Sequence, residues 1–259
     1  MQPNIHYKIS GQGVPFIFQH GLGANLAQAQ SLLGGLEKMQ LISMDCPGHG
    51  NTPLRLGQSI SFDFYVDELV RLMQHLHLER AIFGGISMGA GISINMALRY
   101  PEKVKALVLV RPAWLEKRNP QNLLLLKEAA KFIGKRTGKI TFEQNKEYQQ
   151  IKANLPTAAK SIIGVFGKNQ QRVIPTVLKK MVGDKPFAKK QALKDLKVPC
   201  LVIGNEDDPL HPFSMASTIH KYIKESQLEK VVSRYVNNRE HRITLTNLTQ
   251  QFLNQHQLC

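Results

Sequence analysis

The chain has 259 residues, 42% of them apolar, 20% charged and 7% aromatic, which is ordinary globular composition and length enough to close a large core around one sheet. Collagen-like, coiled-coil and wholly disordered readings are excluded, and no apolar run reaches the roughly 18–20 residues that a membrane-spanning helix needs. The formal net charge of +15 raises nucleic acid or an anionic membrane as partners. Its distribution argues otherwise: residues 111–197 hold 20 Lys and Arg against 6 Asp and Glu, a net of +14, so one segment carries nearly all the excess. Met1-Gln2-Pro3-Asn4 lacks the basic-then-apolar pattern of a signal peptide, and Cys46, Cys200 and Cys259 are odd in number and far apart. The expectation is a soluble, cytoplasmic protein with reduced thiols.

Taken in chain order, residues 4–10 followed by Gly11-Gln12-Gly13 read as an antiparallel edge strand and a tight turn. Short apolar runs at 14–19, 41–45, 81–86 and 106–110 read as buried strands. Between them, Phe62, Tyr65, Val66, Leu69, Leu72, Met73 and Leu76 recur at helical spacing. Alternating strands and helices imply an α/β fold with a mostly parallel sheet. From 112 to 190 no strand-like run appears and the apolar clusters sit among lysines, which predicts an inserted, basic helical module. The alternation resumes with a strand at 198–203, a helix at 213–224, a strand at 230–236 and a last helix at 243–254. The expected domains are a core of 1–111 and 191–259 and a helical cap of 112–190.

Gly85-Ile86-Ser87-Met88-Gly89 lies between a strand and a helix, the context that a G-x-S-x-G nucleophile turn requires. A serine hydroxyl needs a base to take its proton and a carboxylate to orient that base. Candidates follow the later strands: Asn205-Glu206-Asp207-Asp208-Pro209-Leu210-His211-Pro212, and Asn237-Asn238-Arg239-Glu240-His241.

Four motifs in order carry a family resemblance: His20-Gly21-Leu22-Gly23, Asp45-Cys46-Pro47-Gly48-His49-Gly50, Gly85 to Gly89, and Val198 to Pro212. The chain resembles an α/β-hydrolase fold enzyme with a helical cap, over most of its length. The resemblance implies Ser87 as nucleophile, His241 as general base and then acid, and the backbone amides of Leu22 and Met88 as the oxyanion hole. It implies Asp208 as the orienting acid, counted from Pro199 and Pro212, with Asp207 the competitor counted from Gly204. It implies no cofactor. A small to medium acyl compound, most simply a carboxylic ester, is the implied substrate; lactone, thioester, C–C bond and perhydrolase chemistry use the same residues.

Other features have plainer readings. His20 and His49 in glycine-rich loops read as structural, His211 as part of an extended loop before Pro212, and His220 and His256 as helix residues. Asp45 reads as an acceptor of backbone N–H bonds at a turn. No histidine or carboxylate spacing suits a metal, and Gly11-Gln12-Gly13 and Gly84-Gly85 match no nucleotide loop. Leu123 to Leu126 is too short for a membrane anchor. Nucleic-acid binding through the basic segment lacks a reading motif and stacking aromatics, and an intact set of catalytic residues argues against a non-catalytic ligand receptor. Lys117, Lys127, Lys131 and Lys135 fit one solvated stripe; were they to face the pocket mouth, they would favour an anionic substrate.

Overall fold

In a computed structural model, residues 4–55, 57–167 and 172–259 are described; Met1 to Pro3, used above in reading the N-terminus, lie outside them. Seven strands form one sheet: β1 (Tyr7–Ser10), β2 (Val14–Gln19), β3 (Met39–Met44), β4 (Ala81–Ile86), β5 (Val104–Val110), β6 (Cys200–Asn205) and β7 (Ser226–Val231). Their order is β1-β3-β2-β4-β5-β6-β7. All neighbours are parallel except β1, which pairs antiparallel with β3 through Tyr7 opposite Met44. The helices are α1 (Ala27–Leu33), α2 (Phe62–His75), α3 (Met88–Arg99), α4 (Leu124–Ala129), α5 (Gly138–Glu143), α6 (Lys146–Asn154), α7 (Pro156–Ile163), α8 (Ile174–Val182), α9 (Phe213–Tyr222) and α10 (Asn238–Gln255).

The continuous apolar runs form central strands because both sheet faces are covered. Alternate residues serve opposite faces. Ile17, Phe83, Leu107 and Val202 join Phe62, Tyr65 and Ile92 of α2 and α3, while Phe16, Phe18, Val108 and Leu201 join Leu33 of α1 and Leu245 and Phe252 of α10. The edges are less buried, as β1 and β7 show.

Several boundaries shift by two or three residues from the sequence expectation, and the largest differences lie at the C-terminal end. β7 ends at Val231 and not at 236, because Ser226 is the residue that pairs with Cys200 and because the chain then turns, with the Val236 and Asn237 amides donating to the Ser233 carbonyl. The last helix starts at Asn238 and not at 243: the Asn237 side chain accepts from the Glu240 amide at 3.1 Å and caps it. His241 therefore sits in the first turn of α10 and not in a loop.

Between β5 and β6 the described residues form α4 to α8 and the turns that connect them, with no strand among them. They are tied to the sheet by Trp114, whose Nε1 donates to the Met181 carbonyl at 3.2 Å and whose ring meets Phe62 edge-on. Asn122 adds a bond to the Leu210 carbonyl at 2.7 Å. Lys117, Lys131 and Lys135 are exposed on this segment. Among the described residues no helix is long and apolar enough to cross a membrane.

The sheet order reverses between β2 and β4, which places the loops after these two strands beside each other at the carboxyl edge, where ligands of open α/β sheets bind. Gly85 and Gly89 allow the chain to turn there. A Cβ on Gly89 would collide with the Gln19 carbonyl, and one on Gly85 with the Gly89 backbone. Gly89→Ala is expected to cost about 3 kcal/mol by urea unfolding, whereas Gly164→Ala, with nothing within 4 Å of the new methyl, should change stability by no more than ~0.5 kcal/mol.

Candidate active site

Ser87 follows β4 and caps α3 with φ 59° and ψ −111°, a left-handed backbone that a non-glycine residue holds only under strain. Its amide donates to the Val110 carbonyl at 3.0 Å, which pins the turn to β5. The backbone amides of Leu22 and Met88 donate to no described residue; Met88 opens α3, whose N-terminus favours negative charge. The loop carrying Leu22 is fixed by His20. That ring donates from Nδ1 to the Gly21 carbonyl at 2.9 Å and accepts the Cys46 amide on Nε2 at 3.1 Å, and it packs 4.8 Å from the His49 ring. Asp45 accepts the Leu26 and Asn51 amides, each at 2.8 Å. His20, His49 and Asp45 thus hold the loops, as read from sequence.

A cavity of about 280 Å³ opens over Ser87, walled by Leu22, Arg111, His211, Arg234 and Tyr235 and roofed by Leu126, Ser161 and Leu178 of the inserted helices. Arg111, directly after β5, adopts φ 46° and is 2% exposed. Its Nη2 forms a short ion pair with Asp208 and lies 3.1 Å from His211 Nδ1. Asp208 also accepts His211 Nδ1–H at 3.0 Å and the Leu210 amide at 3.1 Å. Asp207, by contrast, is exposed, with φ 53°.

A sequence profile described as the alpha/beta hydrolase fold matches residues 14–234. The chain belongs to the α/β-hydrolase fold family. It is 26% identical over 230 residues to lipase 3 of Moraxella sp. strain TA144, covering 83% of this chain and 69% of the lipase. It is 32% identical over 117 residues to the 2-hydroxymuconate semialdehyde hydrolase of Pseudomonas sp. strain CF600, a stretch of 44% of this chain and only 41% of that hydrolase. A solved thermophilic esterase from Thermogutta terrifontis superposes with a TM-score of 0.76 at 18% identity, covering 97% of this chain and 93% of that one.

Within this family fold the acid and the histidine are not joined as the motif implies. The His241 Nδ1–H donates to the Val232 carbonyl at 2.7 Å, and its Nε2 is buried with no partner among the described residues. The expected bond from Asp208 to His241 is not formed, because the Arg111 guanidinium and His211 occupy the carboxylate and because the early start of α10 turns the His241 ring toward Val232. His211, read from sequence as part of an extended loop beside the proposed acid and not as a poised base, is the histidine that binds Asp208 and lines the cavity with Ser87. Its only sequence signal was the three-residue spacing from Asp208. Arg111, Arg234 and Tyr235 were missed altogether. A charged residue ending an apolar strand, as Arg111 ends β5, was the available hint.

Burial acts against the Asp208 charge, but His211 and Arg111 overcome it and hold the carboxyl well below the usual carboxylate range. Burial lowers His20, His211 and His241 from the ordinary 6.5, so all three are neutral in the fold at neutral pH. The unfolded chain takes up their protons first as pH falls, and below about pH 4 it also protonates the residue-208 carboxyl first. Stability should therefore decline steadily below pH 6.5 in urea titrations at stepped pH, and a flat profile between pH 8 and 5 would contradict the buried neutral histidines. Asp208→Leu should cost about 3–5 kcal/mol by leaving Arg111 buried and unpaired, and adding Arg111→Met should recover much of that loss.

Proposed function

We propose that this chain is a serine hydrolase that cleaves an ester or related acyl bond of a small to medium substrate through an acyl-enzyme on Ser87. The observation carrying this reading is the strained Ser87 turn at the floor of the cavity, with the Leu22 and Met88 amides unpaired beside it. Ser87 Oγ attacks the carbonyl carbon, its proton passes to a histidine, and the oxyanion is received by the two amides. The histidine returns the proton to the leaving alcohol, and water repeats the sequence to release the acid. The helices of 112–190 act as a cap that closes the cavity and sets substrate range. The lipase, esterase and semialdehyde hydrolase named among its relatives are compatible with this chemistry, and the ester reaction is the simplest reading.

Two histidines compete for the proton. The family resemblance supports His241, and so does its geometry in one respect: with Nδ1–H committed to Val232, Nε2 carries an unused lone pair. The cavity supports His211, which lines it with Ser87 and is oriented by Asp208 as a general base is oriented by its acid. In both readings Asp208 is the acid: it bonds His211 directly, or it comes to bond His241 when a substrate rearranges the cluster.

Ser87→Ala should abolish turnover of p-nitrophenyl esters while leaving the unfolding transition in place, and unchanged turnover would overturn the nucleophile assignment. His211→Gln and His241→Gln separate the bases. The variant that removes the base should lose about 10³-fold or more in kcat, and the other should retain most of it.

A further inference from the structure

Arg234 is the cation in the cavity wall whose charge the fold leaves unbalanced. Arg111, across the cavity, is neutralised by Asp208. Arg234, on the turn after β7, makes no ion pair among the described residues. It is held instead by neutral groups: Nη2 donates to Ser161 Oγ of α7 at 2.6 Å and to Tyr235 Oη at 3.2 Å. The guanidinium carbon stands 4.8 Å from the centre of the Tyr235 ring, whose other neighbour is Arg111 at 5.7 Å. Its Nε–H is buried and without a partner among the described residues. The cavity-lining residues include no Asp or Glu that could supply the missing charge.

Arg234 is half-buried, but its Nε–H is out of water and unpartnered, which costs the fold free energy that an acceptor in the cavity would restore, and an arginine fixed by packing presents planar donors matched to a carboxylate. The bonds to Ser161 and Tyr235 fix the plane of the group, and Ser161 ties it to the roof helix, so the donor set is preorganised. The volume of about 280 Å³ is at the small end of ligand sites, enough for a short chain with two polar ends. We propose that Arg234 binds a carboxylate on the acyl substrate, so that the enzyme acts on short monoesters of dicarboxylic acids and comparable carboxylate-bearing acyl compounds. The assignment rests on the serine-hydrolase reading for the reacting bond, but not for the binding of the anion. It would give a preference for anionic substrates a source in the cavity, which no lysine lines among the described residues.

Glutarate and monomethyl glutarate test the two parts separately. Calorimetric titration of glutarate, which has no bond to cleave, should show binding to the wild-type protein, and Arg234→Met should weaken it about tenfold or more; glutaramide should bind neither protein measurably better than the variant binds glutarate. The ratio of kcat/KM for monomethyl glutarate over methyl butyrate should exceed one in the wild type and fall about tenfold in the variant. If Arg234→Met does not unfold cooperatively, Arg234→Lys decides, since it keeps the charge but loses Nε–H and the planar fork, and should still weaken glutarate binding several-fold. Equal glutarate affinity in wild type and variant, or no binding to the wild type at millimolar concentration, overturns the proposal. Glutarate binding that depends on Arg234 in a protein that hydrolyses neither ester would uphold the anion site and reject the serine-hydrolase reading.

Discussion

The buried ion pair of Arg111 with Asp208 is the constraint around which the candidate site is organised. Arg111 leaves β5 in a left-handed conformation and Asp208 leaves the loop after β6, so the pair clamps the ends of two adjacent strands. Neither side chain reaches solvent. An ion pair so placed is weak as a source of stability, because desolvation offsets the Coulombic attraction, yet removal of either partner leaves a charge with nowhere to go. The same pair fixes His211, whose Nδ1 proton belongs to Asp208, and its charges bias both histidines of the cluster: Arg111 lowers His211 and His241 while Asp208 opposes it.

Topology supplies the rest of the arrangement. The sheet reverses its winding between β2 and β4, and this is where Leu22 and Ser87 emerge. The close approach depends on Gly89 against the Gln19 carbonyl, so the positions of the oxyanion loop and the nucleophile are set by backbone contact and not by side chains that could relax. The helices between β5 and β6 then roof the cavity with Leu126, Ser161 and Leu178. Among the described residues no lysine of these helices joins that roof, which separates much of the net charge of the chain from the electrostatics of its site.

The central strands and most of the site loops were legible in the sequence, because full burial writes continuous apolar runs and because the tight turn at Ser87 requires glycines at fixed spacing. Asp45, His20 and His49 could also be read, since their loops demand backbone acceptors and packed rings. The C-terminal region was less legible. β7 is a half-buried edge strand whose residues carry little alternation, and α10 starts after a single capping asparagine, five residues before the first apolar residue of the expected helix. Arg111 and Arg234 were invisible for a different reason: an arginine on a strand end or a turn resembles a surface residue until the fold places Asp208, or only the neutral hydroxyls of Ser161 and Tyr235, beside its guanidinium. The pairing of Asp208 with His211 and not with His241 is likewise a tertiary outcome, decided by the direction from which α10 begins.

The assignment of Ser87 as nucleophile is the claim on which the functional account turns. It is tested most directly by a crystal structure of the protein after reaction with an alkyl fluorophosphonate. Nucleophilic attack by Ser87 predicts phosphorus bonded to Ser87 Oγ, with one phosphonyl oxygen received by the Leu22 and Met88 amides. A protein left unmodified by an excess of reagent, or an adduct on another residue with Ser87 free, would contradict it.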